Sequence, residues 1–222
     1  MAAGIIKQKR GEYALRLVGD CGAFTAEQLQ AVGEIARAYG NGVVFATSRG
    51  TFEINGLAEG SLGPAGEAAK RCGLRVGGSG PTVRAVVACK GTECTHGQFD
   101  VHALARELDA AFYGQSVPKK FKIGVFGCLN SLGKAQGQDL GILPSLRERG
   151  KFDLFLGGMM GKTPCFGLPL GLPLAREQLA PAVALLLGEY RRLGLPKERF
   201  RAMLDRQPPG YLEQLRSRIR AL

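Results

Sequence analysis

The chain has 222 residues, 45% apolar and 22% charged, so it can bury a real core and is not of a disordered composition. No run nears the roughly 18 uninterrupted apolar residues that a membrane helix needs, and the first thirty residues lack a basic-then-apolar secretion layout. A cytoplasmic protein with no membrane partner is therefore expected. The net charge of +11 invites a nucleic-acid reading, but residues 191–222 alone carry nine basic side chains against three acids. That pattern reads as a solvated or docking face of a helical tail, and no nucleic-acid-binding signature accompanies it, which argues against nucleic acid.

In chain order, residues 13–17 alternate like a strand, and Thr25 caps a helix over 26–39 that Gly40 stops. Strands over 43–47 and 51–54 flank a turn at Ser48-Arg49-Gly50, and 64–72 reads as a short helix. Gly77-Gly78-Ser79-Gly80-Pro81 combines flexibility with a helix-forbidding proline, so a domain boundary is placed there. Beyond it come a strand (82–88), an amphipathic helix (101–113) and a strand (121–126). A glycine-dense loop (Gly133, Gly137, Gly141), a strand (152–156) and a helical tail from 174 follow. Domains of 1–76 and 81–222 are expected, of α+β class overall.

Six cysteines in such a chain point to metal or redox chemistry where they cluster. Cys89 and Cys94 follow one β-like run and Cys128 closes another. Cys21 and Cys72 read as small packing residues, and Cys165 falls in a Gly/Pro-rich loop. His96, just after the cysteine pair, reads as a loop histidine rather than a ligand. Basic residues recur near these cysteines: Arg49 in a tight turn, Arg84 before the pair, and Lys120 and Lys122 at i and i+2, which a strand would project to one face. Such a cage suits a small anion. Thirty-three glycines with no tryptophan fit close backbone approach to a bulky ligand.

These segments, Ala46-Thr-Ser-Arg-Gly-Thr-Phe-Glu-Ile, Arg84-Ala-Val-Val-Ala-Cys-Lys-Gly-Thr-Glu-Cys, Pro118-Lys-Lys-Phe-Lys-Ile, Gly127-Cys-Leu-Asn-Ser and Leu156-Gly-Gly-Met-Met-Gly, resemble in order the nitrite and sulfite reductases that hold a sirohaem beside a [4Fe–4S] cluster. The resemblance covers nearly the whole chain. It implies a ferredoxin-like half domain followed by an α/β sirohaem and iron–sulfur domain with a helical C-terminal tail. It implies Arg49, Arg84, Lys120 and Lys122 around the substrate, and Asn130, Lys134 and Gln136 with Gly157 and Gly158 about the tetrapyrrole. Cluster ligands would be Cys89, Cys94 and Cys128, with Cys165 as a candidate fourth. The cysteine pattern departs from the family in two places: four residues rather than five separate the first pair, and Leu132 stands where the cysteine bridging cluster and sirohaem is expected.

The activity so implied is six-electron reduction of sulfite or nitrite by an external donor such as a ferredoxin, since no nucleotide fingerprint is present. The alternative is a degenerate tetrapyrrole- or cluster-binding relative that acts as a carrier or electron-transfer subunit. Because the chain holds one copy of a module that family enzymes often carry twice, a homodimer is expected.

Overall fold

Thr25 ends an extended segment by accepting a hydrogen bond from the Gln28 amide, and the Gln28 side chain accepts from the Thr25 amide at 3.1 Å, a reciprocal cap that starts a helix. In the computed structural model, which describes residues 3–131 and 134–222, this helix is α1 (Ala26–Tyr39). The chain divides into two compact units, Met1–Gly80 and Pro81–Leu222.

In the first unit β1 (Ile5–Lys7), β2 (Tyr13–Val18), β3 (Val44–Ala46) and β4 (Thr51–Leu57) form an antiparallel sheet in the order β1-β2-β4-β3. After α2 (Leu62–Arg71), the short β5 (Arg75–Val76) pairs with the end of β2. Alternation decides which face is buried: Leu15, Leu17, Ile54 and Leu57 pack with Val32, Ile35 and Ala36 of α1 and Ala65 and Ala69 of α2. On β2 the intervening Arg16 pairs with Glu53 across the strands and donates to the Gly78 carbonyl. Arg49 lies in the β3–β4 hairpin, where its amide reaches Thr47 Oγ1 at 3.3 Å.

The second unit adds β6 (Val87–Ala88), α3 (Val101–Phe112), β7 (Ile123–Val125), β8 (Leu140–Pro144), β9 (Phe152–Leu156) and β10 (Leu168–Pro169). Their order is β10-β9-β8-β7-β6, with β6, β7 and β8 parallel and the other pairs antiparallel. Three helices close the chain: α4 (Leu179–Leu193), α5 (Phe200–Asp205) and α6 (Tyr211–Arg220). Phe121, Tyr190 and Phe200 are fully buried with ring centroids 5.0–5.9 Å apart, which fixes α4 and α5 against the segment bearing Lys120 and Lys122.

The expected strand over 82–88 is largely irregular. Arg84 donates its amide to the Phe121 carbonyl, but the Val86 amide turns to the Asp109 carboxylate at 2.8 Å, which leaves β6 two residues long. The glycine-dense loop conceals β8, in which every residue is buried, so no alternation marked it. Among the described residues no helix is long and apolar enough to cross a membrane.

Candidate functional site

Neighbouring parallel strands end on the same side of a sheet, and that topology gathers residues distant in sequence. Cys89 directly follows β6, and its amide donates to the Val125 carbonyl of β7 at 3.3 Å. Cys128 lies three residues beyond β7. Cys94 ends a short 3-10 turn, Gly91–Glu93, with its amide on the Gly91 carbonyl at 3.0 Å. The three thiols line one largely apolar cavity of about 280 Å³ together with Lys90, His96, Asn130, Ser131 and Lys134.

The loop is closely built. A side chain at Gly97 would place its first carbon 2.0 Å from the Gly91 carbonyl oxygen, so glycine is required there. The Gly127 amide donates to Cys89 Sγ at 3.2 Å. Ser131 is 6% exposed, and its hydroxyl oxygen is buried with no hydrogen-bond partner among the described residues.

Among the described residues no three His, Cys, Asp or Glu side chains converge tightly enough for one metal ion. The cavity suits something larger. A cubane cluster spreads its ligands over four irons rather than one, and three thiols about an apolar cavity with an N–H···S bond are the donor chemistry it takes.

A second group of charges surrounds Asp139 in the same unit. Its carboxylate, with only 1% of the side chain exposed, accepts from Arg199 at 2.8 Å and from the Lys122 amide at 3.0 Å. Burial pushes Asp139 up, and the Arg199 guanidinium opposes that shift. Lys120 is held below the usual lysine range, first by burial and then by the charges of Arg199 and Arg84. Arg84, Lys120 and Arg199 therefore concentrate positive charge around one buried acid.

Of the residues singled out in the sequence, Cys89, Cys94, Cys128, Asn130 and Lys134 share the cavity. Cys165 is not among the residues that line it; its amide and carbonyl pair with Met159 and its thiol faces the Gly157 carbonyl at 3.7 Å. Arg84 and Lys120 lie within reach of each other's charge, whereas Arg49 belongs to the other unit. The Lys122 amide donates to Asp139, and its carbonyl accepts from the Leu140 amide at 2.9 Å. Gly157 and Gly158 are required by the chain's own packing: a side chain at 158 would strike the Gln136 carbonyl at 1.9 Å, and Gly157 has φ +77°. Gln136 Oε1 is buried without a partner. Leu132 lies outside the described residues.

Asp139 and Arg199 were missed. The available signal was a lone acid immediately before a wholly apolar run, which demands a cation when buried.

Three cysteines on one cavity at the ends of neighbouring parallel strands are a donor set that an iron–sulfur cluster takes. The chain belongs to the nitrite and sulphite reductase family: the family model described as "Nitrite and sulphite reductase 4Fe-4S domain" matches residues 79–212. "Nitrite/Sulfite reductase ferredoxin-like half domain" matches residues 6–71. The coenzyme F420-dependent sulfite reductase of Methanocaldococcus jannaschii is 33% identical over 141 residues, 63% of this chain and 23% of that protein. The assimilatory-type sulfite reductase of Nitratidesulfovibrio vulgaris is 26% identical over 189 residues, 84% of each chain. The solved structure of the Mycobacterium tuberculosis NirA protein shares the fold with a TM-score of 0.82 at 15% identity, over 95% of this chain and 40% of that one. The chain spans half or less of the length of several curated relatives it matches.

Proposed function

We propose that this chain is a single-module reductase that passes electrons from a separate donor, such as a ferredoxin, through a [4Fe–4S] cluster to sulfite or nitrite held at a sirohaem. The observation that carries this reading is the convergence of Cys89, Cys94 and Cys128 on one cavity. A bound cluster supplies single electrons, and a bound sirohaem supplies the iron that takes the anion. Cys89, Cys94 and Cys128 would hold the cluster, and the Gly127 amide donates to the Cys89 sulfur.

Arg84, Lys120 and Lys122 attract the anion. Lys120 releases its proton more readily than an ordinary lysine and so suits delivery of protons to the oxygens that leave as water. Asp139 keeps Arg199 fixed beside it. The tetrapyrrole fits this unit in charge, because its carboxylates need cations such as Lys134 and Arg84 with donors such as Asn130 and Gln136. It lacks one part, since Leu132 supplies no thiolate to bridge it to the cluster. That residue favours the second reading, a cluster- or tetrapyrrole-binding subunit that carries electrons without turnover.

We also take the module to pair as a homodimer. The edge strand β3 leaves Phe45 58% exposed beside Val43 at 46%, an apolar strand edge that pairing would cover.

Two assays on anaerobically purified protein test the reading. Serine in place of Cys89, Cys94 or Cys128 should lower iron and sulfide content, and the wild type should oxidise a reduced viologen dye when given sulfite or nitrite. Full iron retention in Cys128→Ser overturns the ligand assignment. A full cluster with no turnover of either anion selects the electron-carrying subunit.

A further inference from the structure

We propose that Arg199, clamped by Asp139, is a positioning residue for the reduction, acting through Lys120 rather than on the anion, an inference that rests on the reading above. Arg199 directly precedes α5, and its neighbour Phe200 is fully buried with its ring 5.0 Å from that of Phe121. Phe121 stands between Lys120 and Lys122, so ring packing brings Arg199 to their segment. One carboxylate then fixes it there. Asp139 accepts from Arg199 at 2.8 Å through one oxygen and from the Lys122 amide at 3.0 Å through the other. Leu140 donates its amide to the Lys122 carbonyl at 2.9 Å, and the Asp139 carbonyl accepts from the Gly157 amide at 2.7 Å. The clamp is thus tied to three strands.

Its burial sets it apart from the other ion pairs of the basic tail. The Arg199 and Asp139 side chains are 14% and 1% exposed, whereas Arg192, Arg206 and Arg218 keep 43–61% of theirs in solvent. Away from water, charges act on each other with little screening. Of the charges that act on Lys120, Arg199 comes first, followed by Arg84, with Asp139 opposing both and Lys119 adding to them. The remaining groups near Arg199 are neutral or engaged elsewhere. The Tyr190 phenol, pushed up by burial, donates to the Glu198 carbonyl, and Glu198 turns its carboxylate to Arg206. Lys122 adds its positive charge beside Asp139.

Asp139 therefore does two opposed things to Lys120: it holds Arg199 close, and it offsets part of that charge. A guanidinium stays charged at every working pH, so its push on Lys120 never lapses. In turnover the Nζ–H bond of Lys120 breaks as an O–H bond forms on the departing oxygen, and water restores the proton. Arg199 makes that transfer easier, and Asp139 limits how far.

The test follows the titration of Lys120 directly. Full-length wild type, Asp139→Asn, Arg199→Gln and Arg199→Lys, purified anaerobically, are treated with acetic anhydride over a range of pH. Only the neutral amine reacts, and peptide mass spectrometry reads Lys120 against the exposed Lys162 of the same chain. Asp139→Asn, which leaves the guanidinium unopposed, should lower the Lys120 midpoint by about one pH unit, and Arg199→Gln should raise it by about as much. Arg199→Lys should keep it near the wild type. The doubly neutral Asp139→Asn/Arg199→Gln chain buries no unpaired charge and serves where Arg199→Gln does not fold; its midpoint should lie above that of Asp139→Asn. With sulfite or nitrite, the alkaline limb of the kcat/KM profile should move in the same direction as the midpoint in each variant, because the charged lysine is the form that gives the proton. Midpoints that stay in place overturn the proposal. So do midpoints that rise in both Asp139→Asn and Arg199→Gln, the mark of a site merely loosened, or a shifted midpoint with an unmoved alkaline limb. Opposite shifts in a chain whose wild type reduces neither anion are a different failure, that of the reductase reading itself.

Discussion

Asp139 shows how one buried charge organises its surroundings. Its carboxylate meets Arg199 and the Lys122 amide, so Asp139→Ala leaves a guanidinium without its acid and should cost about 3–5 kcal/mol in urea denaturation. Asp139→Asn, which can still accept from the amide, should cost less. Lys120 behaves in the opposite way. Burial and its cationic neighbours make its charge unfavourable in the folded chain, so Lys120→Ala should leave stability unharmed. The same change should lower kcat/KM for the anion by about 100-fold, the loss typical of one preorganised charge donor. Unchanged kinetics would remove Lys120 from the cage. Arg84 and Lys120 stand out in the sequence as basic residues near the cysteines, and the structure brings their charges within reach of each other. Asp139 does not stand out, because a glycine-dense stretch reads as loop until its partner, sixty residues away, is known.

At the scale of elements, the helices announced themselves and several strands did not. The capping box and the stop at Gly40 bound α1 as expected, and Thr25→Ala should lower stability by about 1 kcal/mol. A wild-type denaturation midpoint in that variant would show the cap to be idle. By contrast, β8 carries no alternation because both its faces are buried, and β6 is shortened by the Asp109 carboxylate, which no local pattern foretells. The basic tail, expected to be a solvated or docking face, is largely exposed, and many of its cations pair with acids or carbonyls of the chain itself. Arg192 and Arg218 meet Glu189, Arg206 meets Glu198, and Arg216 caps the Leu170 carbonyl. The Arg192 and Arg218 side chains and the Tyr211 hydroxyl hold Glu189 down to about 2 from its ordinary 4.5, against the cost of burial. A carboxylate lowered in the folded chain stabilises it above pH 4.5 and loses that contribution as pH falls toward 2. Glu189→Gln should therefore lower the thermal midpoint at pH 7, and the difference should shrink between pH 4.5 and 2. A difference independent of pH would mean that packing, not charge, ties α6 to α4.

For the whole molecule, the family and the α+β class were readable because several short motifs fall in order along the chain, and order is harder to obtain by chance than any one motif. The gathering of Cys89, Cys94 and Cys128 on one cavity was not readable from their spacing alone, because it depends on β6 and β7 lying side by side. Pairing of two copies belongs to this scale too. Light scattering should give about twice the 23.6 kDa of one chain, and Phe45→Lys on the exposed edge strand should return it to one. A wild-type mass of a single chain at micromolar concentration, with cofactor bound, would refute the pairing.

The most direct measurement is chemical analysis of the anaerobically purified full chain for iron and acid-labile sulfide, with its visible spectrum. A cluster held by the cavity beside β6 and β7, with one sirohaem, predicts about five irons and about four acid-labile sulfides per chain, with tetrapyrrole bands over broad sulfur-to-iron absorption that bleaches on reduction. A cooperatively folded chain carrying neither iron nor sulfide, and taking up neither when both are supplied, would contradict it.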